Sequence, residues 1–119
     1  MKYLYLAPLL LILFSCHKKV DLENVDETAW KKDKLGCNGY RAKTIDKVMD
    51  QQKSLMGYSQ EEITISLGLA DRNELLDRGQ KQLIFFVEPG QQCLGVGKLG
   101  KALYLRFNAL NKVYEIRIK

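Results

Sequence analysis

The sequence predicts an α+β fold of the order ααβββ, two N-terminal helices packed on a three-stranded antiparallel sheet. Three observations predict it. Apolar residues recur near helical spacing between Tyr40 and Met56. Ser59-Gln60-Glu61-Glu62 has the Ser-x-x-Glu form of a helix start. Beyond Gly68 the period changes to alternation, in runs of strand-forming residues.

The first helix runs from about Tyr40 to Leu55, where Ile45, Val48, Met49, Gln52, Leu55 and Met56 form an inward stripe. Arg41, Lys43, Asp46, Lys47, Asp50 and Lys53 fall mostly on the other faces. Gly57-Tyr58 interrupts the chain. The second helix starts at Ser59, carries Ile63 and Leu67 on one face, and stops at Gly68. Glu61 and Glu62 belong to this helix start, where negative charge complements the dipole, rather than to a catalytic carboxylate pair. Lys81 to Glu88 is the first strand, stopped by Pro89-Gly90. Ala102 to Phe107 and Val113 to Ile118 alternate on either side of the turn residues 108–111, an antiparallel hairpin. A weaker strand signal lies at Glu74 to Arg78.

The sheet and helices occupy only part of the 119 residues. Twelve of the first 15 are apolar, while the remaining 104 are about 41% apolar, at the low end for a small core. The apolar stretch Tyr3 to Phe14 is shorter than the roughly 20 residues that a spanning helix needs, and it suits a signal-peptide core. Leu13-Phe14-Ser15-Cys16 resembles the bacterial lipobox, which implies acylation of Cys16 and cleavage before it. His17 stands where an aspartate would mark inner-membrane retention, and no acidic run follows. The resemblance therefore implies an outer-membrane anchor facing the periplasm. The expected organisation is a signal peptide over 1–15, a lipidated flexible tether over 16–28 and one domain over 29–119.

Export makes the cysteine count informative. With Cys16 committed to lipid, Cys37 and Cys93 remain as a pair in an oxidising compartment. A bridge between them closes a loop worth about 4 kcal/mol of chain entropy. Two free buried cysteines or half a metal site are the alternatives. The second lacks C-x-x-C spacing, and the only histidine is His17.

Composition excludes a multi-domain enzyme, a collagen-like repeat and a polytopic membrane protein. The net charge is +5, and removal of Lys2 with the leader lowers it to +4. An exported chain meets no cytoplasmic nucleic acid, so this charge solvates exposed faces or favours anionic headgroups. Gly95-Val-Gly97-Lys-Leu-Gly100 matches the letters of a dinucleotide fingerprint. A strand rather than a helix follows it, and 19 residues are too few for a βαβ unit, so it reads as a loop. Committed cysteines, one histidine and no Gly-x-Ser-x-Gly elbow leave no nucleophile and base to assemble. The expectation is no catalytic residue, no cofactor, no metal and no small-molecule substrate.

Gly57-x-Ser59-x-x-Glu62-Ile63-x-x-x-Leu67-Gly68 resembles the helix-to-sheet junction of the SmpA/OmlA group, small outer-membrane lipoproteins of the β-barrel assembly machinery. That motif usually ends in Gly-x-Pro, where this chain has Gly68-Leu69-Ala70 and then Asp71. The wider pattern of Trp30, Asp33, Gly36-Cys37, Arg41, Pro89-Gly90 and Cys93 is similar to small lipoproteins of the Bacteroidetes type. The resemblance implies two helices on a three-stranded sheet and use as a protein-binding scaffold, with another envelope protein as partner. The alternative class is a periplasmic inhibitor or immunity protein that blocks an enzyme. Tyr40, Tyr58 and Tyr104 are the candidate partner-binding anchors, because buried aromatics dominate interface energies.

Overall fold

A computed structural model describes residues 19–119. The expected signal peptide and Cys16 lie outside the described residues. Among the described residues, no helix is long and apolar enough to cross a membrane.

The chain forms α1 (Glu27–Lys32), α2 (Tyr40–Asp50) and α3 (Gln60–Leu67), then β1 (Arg72–Leu75), β2 (Lys81–Phe86), β3 (Ala102–Phe107) and β4 (Val113–Ile118). The α+β class is as expected, with corrected counts. The sheet has four strands in the order β1-β2-β3-β4, all antiparallel. The weak signal near Glu74 is the fourth strand, shifted to Arg72–Leu75, and it pairs Asn73 with Leu83. It lacks an apolar alternation because three of its four residues are exposed at the sheet edge. The helix expected through Leu55 ends at Asp50, and a 3₁₀ turn over Gln52–Leu55 carries Leu55 into the core.

The largest correction concerns the expected tether. Residues 19–28 are not free. Val20, Leu22 and Val25 are buried in the same core as Trp30 and Leu67. Asp26 caps α1 by accepting from the Thr28 and Ala29 amides. Polar and charged residues between the three apolar ones make this segment read as solvated, yet a local pattern of two or three apolar side chains is enough once a groove receives them.

Side-chain alternation divides the sheet into two faces. Leu83, Phe85, Val87, Leu103, Leu105, Phe107, Val113 and Ile116 meet the helices and the N-terminal segment. The other face carries Arg72 and Glu74 from β1, Gln82 and Ile84 from β2, Tyr104 and Arg106 from β3, and Glu115 and Arg117 from β4, as the registers place them. A register shift beside Phe107 pairs it with Val113 and leaves Tyr114 as an extra residue. The helix-to-sheet junction forms as its sequence predicts. The Ser59 hydroxyl accepts from the Glu62 amide, and the Glu62 carboxylate accepts from the Ser59 amide.

Candidate functional site

The residues of the wider motif meet at one end of α2. Asp33, 1% exposed, accepts hydrogen bonds from the Asn38 amide at 2.6 Å and the Arg41 amide at 2.8 Å. It thereby supplies the acceptor that Gly39, at the N-cap of α2, cannot. The Arg41 guanidinium is buried, donates to the Trp30 carbonyl and the Phe86 carbonyl, and pairs with Asp71 at 2.7 Å. It also lies 5.3 Å from the Trp30 ring centroid and 5.7 Å from that of Phe85. Asp71 accepts in addition from the Leu35 and Phe86 amides.

Every carboxylate oxygen of Asp71 is therefore turned toward protein donors. This pair joins α1, α2, the 3₁₀ turn over Lys34–Gly36 and the end of β2 into one unit. Buried and bonded to backbone groups, the pair serves as a tie within the fold. Gly36 belongs to the same unit. It has φ +66°, and a Cβ there would sit 2.7 Å from the Phe86 carbonyl oxygen.

Cys37 and Cys93 form a disulfide, with Cα atoms 5.7 Å apart. The bridge pins the loop between β2 and β3 beside the 3₁₀ turn, where the Gln92 side-chain amide donates to the Leu35 and Glu88 carbonyls. The Gly95 to Gly100 stretch is part of this loop and leads into β3. Leu94 and Leu99 project from it almost fully exposed.

The three tyrosines expected as anchors are not brought together. Tyr40 accepts from the Asp26 amide through its hydroxyl at 2.7 Å and packs against the core. The Tyr58 hydroxyl donates to the Lys19 carbonyl at 3.3 Å, and its ring also packs on the core. Both hold the N-terminal segment in place. Gln51 does the same by a reciprocal pair of hydrogen bonds with the backbone of Glu23, at 2.6 and 2.8 Å. No sequence pattern announces Gln51, because its partner is a main-chain group 28 positions away.

Tyr104 alone lies on the open sheet face, half-buried, with the Lys119 ammonium 5.1 Å from its ring centroid. A shallow depression there is lined by Gln82, Tyr104, Arg106, Glu115, Arg117 and Lys119. Glu115 is shared by Arg106 and Arg117, and Glu74 by Arg72 and Gln82. Four cations thus stand against two carboxylates on this face. Among the described residues, no group of three or more His, Cys, Asp or Glu could hold a metal ion. Glu61 has its carboxyl pKa lowered, chiefly by its own backbone amide and then by the Asn111 side-chain amide, a contact that ties α3 to the β3–β4 turn.

The chain matches no family model, no curated protein and no solved structure.

Proposed function

We propose that this protein is a lipid-anchored envelope protein that serves as a binding adaptor in outer-membrane assembly or maintenance. In this reading Cys16 carries the acyl chains and the domain faces the periplasm. The observation that supports the adaptor role most is the open sheet face: one aromatic anchor, Tyr104, beside Arg106, Arg117 and Lys119, with Arg72 further along the same antiparallel sheet. Arginine and tyrosine on a rigid surface are the residue types that carry interface energy, and the excess positive charge selects an acidic partner surface.

The test is capture from solubilised envelope. The parent chain should retain a barrel-assembly subunit, and Tyr104→Ala with Arg117→Glu should lose it. A deletion strain with normal outer-membrane protein levels, together with no captured partner, would overturn the adaptor role. Anchoring is tested separately: Cys16→Ala should abolish lipid labelling and membrane retention.

The inhibitor reading rests on a different observation, the bridged loop that exposes Leu94 and Leu99. A loop held in one shape before binding loses little entropy on entering a cleft. Capture of a lytic enzyme that Leu94→Asp abolishes, with Tyr104→Ala neutral, would favour it over the adaptor.

A further inference from the structure

The packing of the N-terminal segment sets how the domain stands on a membrane. Tyr58 is hydrogen-bonded to Lys19 through its hydroxyl and to Val113 through its carbonyl, and Gly57 donates to the Val113 carbonyl. Val113 pairs with Phe107, and Phe107 with Lys81, so the chain joins the domain at this end of the sheet. The turn between β3 and β4 lies at the same end, and Leu110 at its tip is 80% exposed. The disulfide and Leu94 lie at the other end, where Gly36 abuts Phe86. The six residues of β2 separate the two ends by roughly 17–20 Å.

Val20 is fully buried, four positions after Cys16. Four residues span about 14 Å at most. A domain of this size has a radius of gyration of about 13 Å, hence a width of roughly 30 Å. A free tether to residue 28 would reach about 40 Å and let the domain turn over. The spacer that the packing leaves is shorter than the domain is wide, and it does not.

The geometry points to a fixed orientation: the end bearing Lys19, Tyr58 and the Leu110 turn is held against the lipid surface, and the disulfide loop is held away from it. This rests on acylation of Cys16. Headgroup attraction alone does not set the orientation, because Asp21, Glu23 and Asp50 stand at this end together with Lys19, Lys53, Lys81 and Lys112. The short spacer does so, and it brings Leu110 to the interface, where an exposed leucine loses contact with water. The open sheet face and the bridged loop both stay reachable by a partner.

The experiment uses the full-length lipidated chain in vesicles of phosphatidylethanolamine and phosphatidylglycerol, with and without brominated acyl chains. Leu110→Trp and Leu94→Trp each place an indole at an exposed position, against the constant background of buried Trp30. Bromolipid should quench the added emission of Leu110→Trp several-fold more than that of Leu94→Trp. Inserting ten Gly/Ser residues between Lys18 and Lys19 should remove the difference while the protein still floats with the vesicles. Flotation with equal quenching at the two positions overturns the orientation alone, as does a difference that survives the insertion. Loss of flotation by the parent overturns the anchor and the orientation together.

Discussion

At the scale of single residues, Asp71 carries the heaviest duty. One carboxylate receives Arg41, the Leu35 amide and the Phe86 amide, and so joins three segments. Asp71→Ala leaves a buried guanidinium without its counter-charge, and it should lower stability by about 3–5 kcal/mol. Urea unfolding followed by circular dichroism measures this; a loss below about 1 kcal/mol would mean that the pair is solvated. Glu61 gives a smaller and pH-dependent effect. Its folded pKa lies below the ordinary carboxyl value, so its contribution is present above that ordinary value and lost as pH falls through the lower folded one. Asn111→Ala should raise the Glu61 pKa toward the ordinary value, read by carboxyl NMR titration. An unchanged titration would discount the contact between α3 and the turn.

At the scale of elements, the capping box and the hairpin were legible because their information is local. Ser59 and Glu62 lie three apart, and β3 and β4 each carry their own alternation. Ser59→Ala should cost about 1 kcal/mol by freeing an amide of α3. The edge strand β1 was legible only as a weak and displaced signal, and the N-terminal segment not at all. Both have few apolar residues: β1 is set by its pairing with β2, as Asn73 with Leu83, and residues 19–23 by Tyr58 and Gln51, far away in sequence. Helix α1 was hidden similarly, since its six residues carry one buried side chain, Trp30. Of the candidate anchors, the tyrosine residue type marked importance without distinguishing a hydroxyl that pins backbone, as at Tyr40, from a ring on an open face, as at Tyr104. Leu22→Ala checks the corrected boundary. It should cost about 2–5 kcal/mol for a buried leucine, against nearly nothing for a residue in a tether.

At the scale of the whole molecule, two long-range ties hold a modest core. One is the Cys37–Cys93 bridge and the other is the N-terminal segment laid across the helices. Replacing both cysteines by serine should cost about 2–4 kcal/mol, a large share of what a domain of this size has. Thermal unfolding of the double variant beside the reduced parent measures it, and equal melting of all forms would remove the bridge from the account. The clasp of Gly57 and Tyr58 on Val113 has a different consequence. An unpaired strand edge is a template for another chain, and confinement to a surface crowds such edges together. Two backbone hydrogen bonds at Val113, both 2.9 Å, occupy the beginning of the β4 edge. The strand then continues with Glu115 and Arg117, and Lys119 follows it. A neighbouring copy would meet a blocked start and a charged remainder at this edge, which disfavours extension of the sheet through β4.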